Sequence, residues 1–411
     1  MIRAPRWYHG WNIVAAAILA QVATLGLPIN CFSLFLGHWS RDLSTPVSTL
    51  TLAVSALSLA CLFISPLAGV VADRAPAKKL FAVTLSLVVV FHVAIACVTA
   101  GWQIILLYGL VGAAAAAFGS NIPSQTMVSR WFVRRRGLAI GLTAFGLAAA
   151  GIVFPLIISL LVPALGWRGA WWAFALAIGI LVLPTVVIIV RDRPGPHDRL
   201  DYVDSSASTE AAGPRLRLKA ILTRRNFVAA TAAMILLQFI YFGLLVNLAP
   251  LAASRGYDLA TSGGLLAMLS LAAVISKLGC GLLADRVGNK TPLVLVALVS
   301  AVAVVLLMVS SSLAAMNAAY VLLGLSAGIW TVAPSTIAAE FGPKNFGQAL
   351  GLQLGLVTLG SLSPPAFAKL QEMSGAYTHS LWMLLGVSAL AITSALVLKQ
   401  DRAFVGERPA S

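Results

Sequence analysis

Apolar runs of about twenty residues recur along this chain, and a run of that length is what one helical crossing of a bilayer requires. They fall at 11–36, 47–71, 79–99, 102–127, 136–162 and 168–190, and again at 226–252, 261–284, 291–311, 313–339, 347–370 and 380–398. Hydrocarbon offers no partner to a backbone N–H or C=O, so segments of this kind pair those groups internally as α-helices. The expected fold class is an all-α membrane protein, with twelve transmembrane helices in two six-helix bundles. With 60% hydrophobic and 10% charged residues, the composition lies outside that of a soluble domain.

A formal charge of +15 would suggest nucleic acid in a soluble chain. Here the basic residues sit in short turns between the runs and report topology. Arg74, Lys78, Lys79, Arg130, Arg134 to Arg136, Arg286, Lys290 and Lys344 share one side with both termini. Only Arg41, Arg168, Arg255 and Lys369 fall on the other. The positive-inside rule therefore puts both termini in the cytoplasm of a cell, inner or plasma, membrane. Residues ahead of Trp11 carry no small-residue cleavage site, so the first run is read as a retained helix. Cys31, Cys61, Cys97 and Cys280 lie inside apolar runs without metal-type spacing and read as packing residues. No cofactor, metal or nucleic acid is expected. The bilayer is the obligatory partner, and a monomer is expected.

A polar segment rich in Pro, Asp, Ser and Arg separates the sixth and seventh runs. It divides the chain into an N-terminal bundle (1–190), a cytoplasmic linker (191–225) and a C-terminal bundle with a short tail (226–411). The halves repeat. GVVADRAPAKK from Gly69 recurs as GLLADRVGNK from Gly281, an offset of 212 residues, while Gly137, Gly141 and Pro155 recur as Gly347, Gly351 and Pro365 at an offset of 210. Same-direction repeats imply bundles related by an axis along the membrane normal, with a substrate path between them.

The stretch Ser262–Pro292 holds Lys277, the only basic group deep in any run. An ammonium at that depth costs roughly 2.5 to 3.5 kcal/mol on insertion scales, which is reason to expect a use for it. Its Cα should lie about 12 Å inside the Asp285 loop. Ala273, Ser276, Gly279, Cys280 and Gly281 around it leave room for a ligand or for close helix packing. Other candidate substrate-lining groups are Gln238 and Tyr241, three apart on one helix face, and Asn247 in the seventh run. Asn30 in the first, Asn121 and Gln125 in the fourth, and Trp330 in the tenth complete the set, and each could equally be helix-packing glue. His92 is read as structural. No acidic residue lies deep in a run; Glu340 comes nearest, at the end of the tenth.

These features resemble the major facilitator superfamily. Its loop signature matches Gly281, Asp285, Arg286, Gly288, Asn289 and Lys290 well; the first copy, Gly69, Asp73, Arg74, Lys78 and Lys79, has Ala75-Pro76 where a glycine is expected. The resemblance implies gating roles for Asp73, Arg74, Arg134, Asp285 and Arg286, with Asp73 facing the start of the eleventh span and Arg134 or its neighbours. Within the superfamily, three stretches look like the monocarboxylate transporter and oxalate:formate antiporter branch: His9-Gly10-Trp11, Trp131 to Gly141, and Phe341-Gly342-Pro343 with Phe346 and Gly347. Lys277 falls where that branch carries the Arg that meets a substrate carboxylate. Lys keeps the charge and loses the planar fork. Where the branch has a coupling Asp, a first-span Lys and an aromatic residue, this chain has Ala273, Ile29 and Leu25.

The function expected is secondary active transport of small organic anions, mono- or dicarboxylates, by alternating access, as anion exchange or proton-linked uptake. The partners are then an organic anion with a proton or counter-anion. The alternative is multidrug or lipophilic-compound efflux on the same fold. A membrane receptor without transport is the remaining reading. No Ser/His/Asp cluster or phosphate-cradling loop suggests an enzyme.

Overall fold

The computed structural model describes residues 8–119, 124, 127–128, 131–132, 136–192 and 218–399. Among these the regular structure is helical throughout, with no strand. Ten helical stretches among the described residues are long and apolar enough to cross a membrane. One of them, Ala150–Ile189, holds 40 residues and contains parts of both the fifth and sixth spans. The two are separated at Gly166, whose φ of 69° is open to glycine and strained for residues with a Cβ.

The first span starts as the α-helix Gly10–Gln21 and continues as a π-helix over Val22–Asn30, which contains Pro28. Further π-helical turns occur at Tyr108–Gly112 in the fourth span and Ile178–Val182 in the sixth. The tenth span is broken after Ser326 and resumes as the helix Ile329–Val357. The sequence predicts a turn over 340–346, yet the backbone there is helical. Proline's fixed φ fits a helix, while its missing N–H bond and the crowding of its ring on the preceding turn cost about 3 kcal/mol, so at Pro343 the rest of the helix outweighs the local preference for a turn. The eleventh span then tightens to a 3-10 turn, Thr358–Leu362, before Pro364-Pro365 in the helix Ser363–Ser374.

The chain forms two compact units, Met1–Ser208 and Thr209–Ser411. In the first, the non-terminal end of the bundle is filled by rings. Phe35 stacks on Trp39 at 5.6 Å, and Trp39 on Trp171 at 6.0 Å. His92 lies fully buried beside Trp171 with Nδ1 2.7 Å from the carbonyl of Val88, one turn back. The opposite end is held by the residues that start the first and fifth spans. Trp11 meets Phe132 at 4.9 Å, His9 meets Trp131 at 5.4 Å, and Trp131 Nε1 donates to the carbonyl of Arg191 at 3.1 Å.

In the second unit the corresponding end is polar as well as apolar. Phe227 packs edge-on to Phe341 at 5.9 Å, with Ile221, Ile337 and Ala349 around them. Glu340 accepts from Asn226 Nδ2 at 2.8 Å and pairs with Arg224 at 3.6 Å. Asn226 Oδ1 in turn accepts from the backbone N–H of Lys399 at 3.1 Å, tying the seventh span to the end of the twelfth.

Candidate functional site

Lys277 stands in the helix Leu259–Val287, which Asp258 caps by accepting from the N–H of Thr261 at 2.8 Å. Residues at i−7, i−4, i+4 and i+7 share a helix face. For Lys277 these are Ser270, Ala273, Gly281 and Ala284, four small side chains. The tenth span packs on the adjoining face through two glycines four apart. A Cβ at Gly324 would meet the carbonyl oxygen of Leu269 at 2.2 Å, and one at Gly328 would meet Cys280 Sγ at 2.3 Å. Small residues at this spacing let helix backbones approach closely. Ser276 locks the contact by donating from Oγ to the carbonyl of Leu325.

That packing leaves Lys277 half-buried at the edge of a tight helix pair. A Cβ at Gly279 would meet nothing within 4 Å, but two residues along is nearly the opposite side of the helix, so that open surface belongs to the exposed face of Ile275, Leu278 and Leu282. Among the described residues no carboxylate and no hydrogen-bond acceptor partners the ammonium. The acids lie elsewhere: Asp42 takes Trp167 Nε1 at 2.6 Å and Arg168, Glu340 takes Asn226 and Arg224, and Glu372 faces Lys369 at 3.8 Å. An ammonium so placed can hold an anion by charge and by up to three donated hydrogen bonds.

The other sequence candidates divide. Gln238 is 7% exposed and lies under Gly360, where a Cβ would sit 2.7 Å from its own Cβ. Asn247 is buried and gives Nδ2 to the carbonyls of Gly243 at 2.9 Å and Pro364 at 3.3 Å, joining the seventh span to the eleventh. Its amide nitrogen is therefore spent on backbone. Tyr241 is half-buried beside Phe242, Trp330 is partly exposed next to the Thr331 that touches Gly281, and Asn30 ends the π-helix of the first span. No hydrogen bond among the described residues links Lys277 to Gln238, Tyr241, Asn247 or Trp330. Asn121, Gln125 and Arg134 lie outside the described residues, as do the side chains of Asp73, Arg74 and Asp285. Arg286 is exposed.

Two buried polar residues escape the sequence reading. Gln21, fully buried in the first span just before the π-helix, has both amide atoms without a partner among the described residues. Gln353 in the eleventh span gives Nε2 to Thr231 Oγ1 at 3.4 Å while its Oε1 is unpaired among the described residues. Both stand out in the sequence only as single amides in apolar runs, a signal equally given by packing residues.

Comparison with known proteins agrees with the helical architecture. Residues 18–365 match the Major Facilitator Superfamily. The MFS transporter asaE of Aspergillus flavus is 26% identical over 401 residues, covering 94% of this chain and 87% of its own length. The Fujikurins efflux protein of Gibberella fujikuroi is 22% identical over 408 residues, covering 97% of this chain and 83% of its own. Monocarboxylate transporter 13 of Bos taurus is 23% identical over 395 residues, covering 94% and 88%. Among solved structures, a bacterial homologue of the human lysosomal transporter Spinster superposes with a TM-score of 0.74 at 14% identity, covering 96% of this chain and 97% of that one. At that identity it speaks for the fold.

Proposed function

The chain belongs to the Major Facilitator Superfamily, and from that premise we propose that it carries small organic anions, mono- or dicarboxylates, across a cell membrane by alternating access. The observation behind this reading is Lys277, an ammonium within a span that has no carboxylate partner among the described residues. A cation that is unpaired in the empty carrier and neutralised in the loaded one crosses hydrocarbon more readily when loaded. Anion exchange follows from that asymmetry, and uptake of an anion with a proton satisfies it as well. The name of Monocarboxylate transporter 13, a relative of 23% identity, supports a carboxylate substrate. In this reading both termini are cytoplasmic, residues 191–225 link two bundles, and Asp73, Arg74, Arg134, Asp285 and Arg286 gate the cytoplasmic side.

The test is uptake of labelled mono- and dicarboxylates into proteoliposomes preloaded with unlabelled acid. Lys277→Ala should lower exchange by about 30-fold or more, and undiminished uptake would remove the assignment. A second reading, efflux of larger lipophilic compounds, draws on the Fujikurins efflux protein. It expects transport that survives Lys277→Ala and competes with apolar compounds in place of carboxylates.

A further inference from the structure

At the end of the second unit away from Asp285, a cavity of about 700 Å³ opens between the ends of the seventh, ninth and eleventh spans and the start of the twelfth. Its volume lies within the roughly 300 to 1,000 Å³ common for small-ligand sites. Arg255 lines it, half-buried, giving Nη1 to the carbonyl of Ser310 at 3.2 Å and Nη2 to that of Leu307. Those bonds fix the guanidinium and use two of its five N–H groups. Carbonyl dipoles do not cancel its charge, and no ion pair to Arg255 is present among the described residues. Nearby acids are engaged elsewhere: Asp258 caps the eighth span and Glu372 faces Lys369.

Tyr377 and Thr378 line the same cavity, where the helix Thr378–Val397 begins without a side-chain cap. Its first N–H groups add positive potential to that of Arg255. The remaining wall is apolar, with Leu251, Val305, Leu381 and Leu385 inside. Val309 and Trp382, at 80% and 59% exposure, carry the apolar surface outward. This end of the bundle is where span helices start and stop, at headgroup depth, and a tryptophan there is typical of the interface.

We propose that this cavity binds the phosphodiester headgroup of a membrane phospholipid, with Arg255 as its cationic anchor and Val309 and Trp382 receiving the upper acyl chain. A free phosphate would satisfy the arginine and leave the apolar wall in water; a neutral lipid would fill the wall and leave the charge unmatched. Only an anionic amphiphile satisfies both. The site is separate from Lys277, and its occupation does not depend on what is transported.

Native mass spectrometry of the delipidated full-length protein with dioleoyl phosphatidylglycerol, dioleoylglycerol or inorganic phosphate tests this. The wild type should retain phosphatidylglycerol in preference to dioleoylglycerol, with no gain from phosphate. Arg255→Gln should weaken retention about tenfold or more. Because that variant also loses two structural bonds, Thr378→Glu is the second arm. It puts a carboxylate in the cavity at an exposed helix start that favours negative charge, so the fold is kept while the lipid anion is repelled. Unchanged retention in Thr378→Glu, or equal binding of dioleoylglycerol, would overturn the proposal. Phosphate displacing the lipid outright would make the site one for soluble anions and overturn the lipid assignment.

Discussion

The two halves carry the same loop motif and put different chemistry behind it. At the repeat offset of 212, Lys277 corresponds to Ser65, so one helix of the pair holds a charge and its counterpart a hydroxyl. The loops end their helices differently too. The second copy stops at Gly288 with φ of 80° and ψ of 172°, while the first stops because Pro76 holds Ala75 extended at ψ 149°. At the offset of 210, Trp131 corresponds to Phe341, and both secure the same end of their bundles. In the first unit Tyr8, His9 and Trp11 meet Trp131 and Phe132 ring against ring. In the second, Phe341 shares the task with Arg224, Asn226 and Glu340. Duplication therefore preserved where the helices end and left open what holds them and which one carries charge.

The largest test of that asymmetry is in transport. Truncating one partner of a desolvated charge pair costs about 2 to 5 kcal/mol, so Lys277→Ala should lower carboxylate exchange by about 30-fold or more. Ser65→Ala should leave it near wild type. Equal losses in the two variants would mean that the halves bind substrate symmetrically. Next in size is the aromatic end of the first unit. Trp131 is fully buried and its Nε1 is bonded to Arg191. Replacing it with Ala should cost about 3 to 5 kcal/mol, as large aromatic deletions do. Phe341→Ala should cost less, because ionic and amide contacts persist around Glu340. Thermal unfolding in detergent compares the two, and a larger loss for Phe341→Ala would reverse the ranking.

Much of this architecture is written in the chain because hydrocarbon permits so few solutions. The twelve runs and the break at Gly166 follow from apolar length and from glycine's access to positive φ. The π-helical turns after Gln21 and at Tyr108 do not, since a shift from i−4 to i−5 pairing is decided by what packs on the helix. The same limit explains the helix that continues through Pro343. Lys277 is legible because its cost in hydrocarbon is large whatever surrounds it. Asn247 is not, because its role depends on the carbonyl of Pro364, 117 positions away. Gly324 and Gly328 stand four apart in the sequence, but that spacing does not say which helix they meet, and neither is singled out by the sequence reading. Of the gating-loop side chains only that of Arg286, which is exposed, is among the described residues, so the resemblance is the ground for their roles.

A smaller difference lies in how the loop motif turns. Gly288→Ala must hold a Cβ at φ 80° and ψ 172°, a region essentially confined to glycine, at a cost of about 1 to 3 kcal/mol. Pro76→Ala loses only the rigidity of an extended turn and should cost less than about 1 kcal/mol. A drop in melting temperature confined to Gly288→Ala would establish that the copies use separate devices. Matching drops would show that the turn, whatever residue makes it, sets the stability.

The smallest effect separates ionic from aromatic support at the helix ends. The Arg224–Glu340 pair is 3.6 Å apart, with the arginine side chain 54% exposed and the glutamate 16%. So exposed a partner limits the pair to less than about 1 kcal/mol. Glu340→Gln keeps an acceptor for Asn226 Nδ2, so the hydrogen bond should survive while the charge is lost. The melting temperature should then fall slightly at low ionic strength and converge with wild type in molar salt, where charges are screened within about 3 Å. Trp131→Ala, in contrast, should show a loss that salt does not reduce. A salt-independent loss in Glu340→Gln would mean that Glu340 acts through the Asn226 bond and the packing it fixes, which would make the second unit's end as unionic as the first.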